Sequence, residues 1–273
     1  MTRQNAVRAD VALVDRGIVR SRALAQRLIG AGAVEIVAGG RPAPVTRSAQ
    51  PVFPEQELRV RASPESQFAS RGGAKLEPAL ARIGVELRGV QALDVGMSTG
   101  GFTDCLLQHG AARVVGIEVG HGQLNDRLAA DSRVVCFERT HIRDVSPAWL
   151  AARGIDATAF SLTVVDLSFI STIGLLPHLA TLAAAGTVLA ALIKPQFELG
   201  PQARNAKGIV RADADIEGLR QRALTAAEQA GWHPTDWFAC RLAGTDGNQE
   251  YFLAAKRIEV QSERLTDGSL PSA

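Results

Sequence analysis

Apolar and polar positions alternate along this chain in two periods, and the change between them divides it. Over residues 8–29, "RADVALVDRGIVRSRALAQRLI", apolar residues recur at helical spacing on either side of Gly17, and Ser21 stands where a hydroxyl caps the second helix. The spacing predicts a helix-turn-helix-like pair. "AGAVEIVAGGRPAP" then reads as a turn, a short strand and a Gly-Gly turn, and "QELRV" as a further strand. Beyond the polar, Ser/Pro/Gly-rich stretch "RASPESQFASRGG", apolar runs of strand length alternate with helical patterns: "VQALDVG", "ARVVGIEVG", "RVVCFE", "LTVVDLSF", "TVLAALIKPQF", "DWFACRLAG" and "EYFLAAKR". This alternation predicts an α/β protein with a doubly wound, mostly parallel sheet of seven strands, the two closing strands antiparallel at one edge. The expected divisions are a small α+β domain over 1–62, a linker over 63–73, the large domain over 74–260 and a disordered tail over 261–273.

One apolar run invites a different reading. From Leu167 to Ile193 no residue is charged, which is long enough to span a bilayer. Ser168, Ser171, Thr172, Pro177, His178, Thr181 and Gly186 interrupt it, and "TVLAALI" after Gly186 is β-rich. A buried helix followed by a buried strand is therefore expected. "MTRQNAVRADVALVDRG" has no apolar core of signal-peptide length, and Cys105, Cys136 and Cys240 lack disulfide or zinc spacing, so the cytoplasm is the expected location.

Charge sharpens the division into two domains. Residues 1–62 hold ten Arg and five Asp/Glu, net +5, and the remainder holds twenty Lys/Arg and twenty-three Asp/Glu, net −3, giving the overall +2. A basic module that precedes a slightly acidic one points toward a nucleic-acid partner. Arg20 and Arg27 lie seven residues apart on one helix face, Arg22 and Arg41 add charge nearby, and Arg8 opens the first helix. The order of helix, Gly turn, Ser-capped basic helix and "GAVEIVAGGRP" resembles the small RNA-binding domain first recognised in a ribosomal small-subunit protein. That resemblance implies that Arg8, Arg20, Arg22, Arg27 and Arg41 bind RNA.

"ALDVGMSTGGFTD", residues 92–104, couples a buried strand to an acid, a Gly-rich turn and a helix start. The spacing is neither G-x-G-x-x-G nor that of a phosphate-binding P-loop, which disfavours a dinucleotide or triphosphate site. A second acid, Glu118, ends "RVVGIEVG", where a carboxylate can accept both hydroxyl protons of a ribose. The pattern looks like an S-adenosylmethionine-dependent methyltransferase. That likeness implies cofactor contacts from Asp94, Gly96, Ser98, Gly100, Gly101 and Phe102 at the amino-acid end, Glu118 at the ribose, His141 of "ERTHIRDV" near the adenine, and Asp166.

The chemistry-bearing residues narrow the reaction. After its fourth strand the chain has "VVDLSFIS" rather than an Asn/Asp-Pro-Pro-aromatic turn, and it has no Pro-Cys pair, so methylation of a base nitrogen or of pyrimidine C5 is disfavoured. Lys75 lies in the helix "RGGAKLEPAL", Asp166 ends the fourth strand, Lys194 ends the fifth, and Glu250 opens the last. In a doubly wound sheet, ligands bind beyond the carboxyl ends of the strands, where Asp166 and Lys194 are expected to adjoin.

"SRGGAKLE", "LDVGMSTGGFTD", "VVDLSFIS", "LIKPQFE" and "GNQEYFLAAKR" together resemble the TlyA family over nearly the whole chain. Members of that family pair an RNA-binding module with a Rossmann-like domain of the FtsJ-like ribose methyltransferase fold, and some carry a haemolysin label. The resemblance implies 2′-O-methylation of ribosomal RNA, with cytidine as the target, and it matches Lys75, Asp166, Lys194 and Glu250 to the family's Lys-Asp-Lys-Glu tetrad. It also implies S-adenosylmethionine as cofactor, ribosomal RNA or ribosomal subunits as partner, and no membrane. Lys194 orients the hydroxyl as a base or as a fixed positive charge, and the sequence leaves both open. Two rival readings stand beside this one: a non-catalytic RNA-binding ribosome factor, and a cytolysin resting on residues 167–193.

Overall fold

The computed structural model describes residues 6–19, 21–61 and 67–259. Arg20, residues 63–66 of the expected linker and the expected tail 261–273 lie outside the described residues. The small domain begins with β1 (Val7–Arg8), α1 (Ala9–Asp15) and α2 (Arg22–Gly30), followed by β2 (Val34–Ala38), β3 (Arg41–Pro44), β4 (Pro51–Val52) and β5 (Glu57–Val60). Ser21 caps α2 by accepting the Leu24 N–H, as the sequence predicts. Strands pair antiparallel in the orders β3-β2-β5 and β1-β4. Leu13, Leu28, Ile29, Val34, Ile36 and Val52 close a core that belongs to this domain alone.

The large domain runs α3 (Arg71–Ile83), β6 (Gln91–Val95), α4 (Gly101–Gln108), β7 (Arg113–Ile117), α5 (Asp126–Ala129), β8 (Val134–Phe137), α6 (Pro147–Ala151), β9 (Phe160–Val165), α7 (Leu176–Thr181), β10 (Val188–Ile193), α8 (Pro195–Glu198), α9 (Ile216–Gln229), β11 (Trp232–Ala239) and β12 (Tyr251–Arg257). Its seven strands lie in the order β11-β12-β10-β9-β6-β7-β8. Strands β6 to β10 pair in parallel wherever they meet, while β12 inserts antiparallel between β10 and β11. The edge strands are thus β11 and β8, and β12 is interior.

Continuous apolar runs produce this sheet because both its faces are covered. Leu93, Val95, Val165, Leu189, Ala191 and Ile193 point into one core, and their neighbours Ala92, Val164, Ala190 and Leu192 into the other. The uncharged stretch folds as the sequence predicts, into the short helix α7 and the buried strand β10. Among the described residues no helix is long and apolar enough to cross a membrane.

The polar composition of residues 63–73 suggested a linker, yet its second half is structural. Phe68 and Ala69 are buried in the large-domain core, and α3 begins at Arg71 with Ser70 accepting the Gly72 N–H. The physical reason is close packing: a Cβ on Gly73 would overlap the Phe68 ring, so a glycine there lets the phenyl group lie flat on the helix.

Candidate active site

Parallel pairing brings the carboxyl ends of β6, β7, β9 and β10 to one edge, and the chain leaves each strand there through a polar residue or a glycine. Gly96 follows β6, Glu118 follows β7, Asp166 follows β9 and Lys194 follows β10. Because β12 runs the other way and pairs Tyr251 with Ile193, the residue before it, Glu250, arrives at the same edge. Helix α3 carries Lys75 to the spot from outside the sheet.

Four residues distant in sequence therefore meet as two ion pairs. Lys75 Nζ donates to Glu250 Oε2 at 2.5 Å, with the two residues 8% and 2% exposed. Lys194 Nζ lies 2.7 Å from Asp166 Oδ1 and donates to the Ser168 hydroxyl at 3.1 Å. The Lys194–Asp166 contact is a charge pair without hydrogen-bond alignment, so Oδ1 of Asp166 makes no hydrogen bond among the described residues. An ammonium has three donors; Ser168 takes one, so beside its charge pair with Asp166 the Lys194 ammonium keeps a donor for a ligand. All four side chains line one open cleft of about 230 Å³.

Two further cavities adjoin this cleft, and Asp166 is common to all three. The smaller, lined by Gly96, Ser98, Gly101, Phe102, Asp166 and Lys194, lies along the glycine loop. The larger, about 410 Å³, is lined by Glu118, His141, Ile142, Leu167, Phe169 and others. Glu118 accepts the Ser98 N–H at 2.8 Å and the Gly120 N–H at 2.6 Å, which fixes the carboxylate and leaves lone pairs free for two hydroxyl donors. His141 Nδ1 accepts the Arg143 N–H at 3.1 Å, so its other ring nitrogen carries the proton in the neutral ring.

Gly96 and Gly101 are where the loop needs glycine. Gly96 sits at φ +87, and a Cβ there would overlap the Asp166 carbonyl, so the loop and the end of β9 touch backbone to backbone. A Cβ on Gly101 would overlap Ser70 Oγ, so the N-termini of α3 and α4 pack directly together. Gly100 caps α4 in the left-handed region, and a Cβ there would strike Leu128.

Asp94 behaves differently from the other acids. It is fully buried and lines none of the three cavities; Oδ2 accepts the Thr103 hydroxyl at 2.6 Å and Oδ1 has no hydrogen-bond partner among the described residues. Burial drives its pKa up to about 7, against the Thr103 hydrogen bond, and the nearby Asp166 adds repulsion. Its contact holds α4 against β6, one step behind the cavity wall. The cysteines take no part: burial pushes the half-buried Cys136 up to about 12 and raises Cys105 and Cys240 as well, so none is a thiolate near neutrality.

The arginines expected to bind RNA divide three ways. Arg8 and Arg22 both pair with the buried Asp10, at 2.9 and 3.2 Å, while remaining about half exposed. Arg41 stands exposed at the start of β3. Arg27 turns away from both and lines the cleft that holds the two ion pairs. Sequence reasoning missed Ser70, Arg71 and Ser168 in the cleft walls, and it missed Phe169. Phe169 is 91% exposed at φ +68 at the mouth of the larger cavity, its ring 5.2 Å from that of Phe197. An apolar run that reads as buried hid it; the only signal was its place just beyond a strand-end acid.

Residues 68–257 match the FtsJ-like methyltransferase family. The chain is 41% identical over 250 residues to the 16S/23S rRNA (cytidine-2′-O)-methyltransferase TlyA of Mycobacterium tuberculosis, spanning 90% of this chain and 88% of that protein. It is 37% identical over 246 residues to YqxC of Bacillus subtilis, a protein named as a candidate rRNA methyltransferase, spanning 90% and 84%. A solved Streptococcus thermophilus structure, named as a candidate hemolysin, superposes with a TM-score of 0.70 at 31% identity, covering 93% of this chain and 90% of that one.

Proposed function

The chain belongs to the FtsJ-like methyltransferase family, and from that premise we propose that it methylates ribose 2′-hydroxyls of ribosomal RNA, on cytidine, using S-adenosylmethionine. The observation that carries the reading is the meeting of Lys75–Glu250 and Lys194–Asp166 in one cleft, with Asp166 shared by the two cavities beside it. The donor set suits the cofactor: a fixed carboxylate, Glu118, for a ribose diol, apolar walls from Ile117 and Ile142 for a purine, and Asp166 for a cationic centre. Bound there, S-adenosylmethionine supplies an electrophilic methyl group on a positively charged sulfur.

The protein's own part is positioning and proton transfer. A 2′-hydroxyl is a weak nucleophile that must be aligned for in-line attack and must lose its proton as the O–C bond forms and the C–S bond breaks. The free donor of Lys194 suits the hydroxyl oxygen, and the proton passes to the Asp166 carboxylate, whose Oδ1 accepts no hydrogen bond among the described residues; both side chains line the cleft and the glycine-loop cavity. Lys75 and Glu250 neutralise each other at the far wall and hold α3 against the start of β12. The electron pair of the broken bond stays on sulfur. On this reading the small domain supplies affinity for phosphates, which weakens with salt, and the protein works in the cytoplasm on ribosomal RNA or subunits.

Mass-spectrometric mapping of ribose methylation after incubation with ribosomal subunits and cofactor tests the reaction. Lys194→Ala is expected to keep cofactor affinity and to lose methyl transfer. Full activity in that variant overturns the assignment of the tetrad.

A further inference from the structure

Helix α2 spends its faces in an instructive way. Ala25, Leu28 and Ile29 enter the small-domain core, while Arg22 and Gln26 reach Asp10 of α1. Arg27 is left on the remaining side, and there it meets the other domain, lining the cleft with Ser70, Lys75, Asp166, Lys194 and Glu250.

The other cations of that cleft each have a partner. Lys75 is paired with Glu250 and Lys194 with Asp166, and Arg71 donates to the Ala243 carbonyl at 2.8 Å. Arg27 makes no hydrogen bond or ion pair among the described residues, although its Nε is sealed from water. An N–H group removed from water and left without an acceptor costs free energy until a ligand supplies one. The charges agree: Arg27, Arg71, Lys75 and Lys194 against Asp166 and Glu250 give four minus two, a net +2 in the cleft. A nucleotide within RNA enters with a singly charged phosphate on each side of its ribose. A guanidinium fork matches the geometry of a phosphate better than an ammonium does.

Resting on the ribose-methylation reading above, we propose that Arg27 is a substrate-positioning residue of the catalytic cleft, binding the RNA phosphate next to the target ribose. The small domain then does more than tether RNA. It contributes a cation to the active site, and alignment of the 2′-hydroxyl requires both domains on the same nucleotide.

Single-turnover methyl transfer to ribosomal subunits, with enzyme raised to saturation, tests this on the full-length protein. Arg27→Ala is expected to lower the saturating rate roughly ten- to hundred-fold, the range of one charge-assisted hydrogen bond made during the reaction. Arg27→Lys should recover part of the loss, and cofactor affinity and thermal midpoint should stay at wild-type values. A saturating rate equal to wild type, with only half-saturation shifted, marks an ordinary surface phosphate contact and overturns the proposal. So does a lysine variant no better than alanine together with weakened cofactor binding. If the alanine variant does not fold, Arg27→Lys and Arg27→Gln carry the comparison. A wild-type protein that transfers no methyl group to ribosomal RNA refutes the reaction itself, a different result from an active enzyme indifferent to Arg27.

Discussion

Asp94→Asn isolates the electrostatic cost of the acid near the end of β6. The carboxyl is wholly buried, and its pKa rises from 3.8 to about 7 because burial penalises the charge. In the unfolded chain it titrates near ~3.9. Between about pH 4 and pH 7 the native protein therefore holds a proton that the unfolded chain has released, so stability falls as pH rises through that window and levels off above it. A rise from 3.8 to about 7 is roughly three units, and at about 1.36 kcal/mol per unit it amounts to about 4 kcal/mol. Asn keeps the acceptor for Thr103 and cannot ionise. Urea unfolding of cofactor-free wild type and variant from pH 4 to pH 8.5 should show the wild type losing about 4 kcal/mol relative to the variant, almost all of it below pH 7.5. Asp10, whose pKa the Arg8 hydrogen bond holds far below the carboxylate range, acts with the opposite sign at lower pH and cancels in the comparison. A difference that stays constant with pH, or grows in favour of the wild type, refutes the reasoning.

Glu250→Gln leaves the Lys75 ammonium almost buried without its counter-charge, which should cost about 3–5 kcal/mol by denaturant unfolding. Lys75→Met combined with Glu250→Leu should regain much of that stability while remaining inactive, and a double variant as unstable as the single one would contradict the account. Gly96→Ala forces a Cβ into a left-handed residue against the Asp166 carbonyl, so a loss of roughly 2–5 kcal/mol is expected from backbone strain plus overpacking. Calorimetry should also find its cofactor binding weakened; wild-type affinity would show that the loop tolerates displacement from β9.

Much of the large domain was legible along the chain because its signals are local and redundant. The apolar runs of β6 to β10 are continuous since both sheet faces are covered, and each stops at a residue that breaks the run: Gly96, Glu118, Glu138, Asp166 and Lys194. Ser21 announced its cap through residue type and position alone. The position of β12 was less accessible. A short connection to β11 explains their antiparallel pairing, but its insertion beside β10 depends on which strand edge was left open by the other crossovers. Composition misled at Phe68 and Ala69, because a polar stretch hides two residues that the core needs. It misled again at Phe169, whose exposure depends on a turn that no apolar count detects.

Strand periodicity, turn chemistry and the placement of ionisable residues at strand ends follow from interactions within a few residues, so one chain read in order already contained the fold class, the glycine loop and the members of the tetrad. Pairing is another matter. That Lys75 goes to Glu250 and Lys194 to Asp166 depends on the register of β10 against β9 and β12, and these contacts join residues up to 175 positions apart. The same holds for Asp94, whose carboxyl is raised toward neutrality by what packs around it, and for Arg27, which reads as one of several RNA-binding arginines until the small domain is seen to bring it to the cleft. Electrostatic environment and burial are properties of neighbours in space, and only the folded chain decides who those neighbours are.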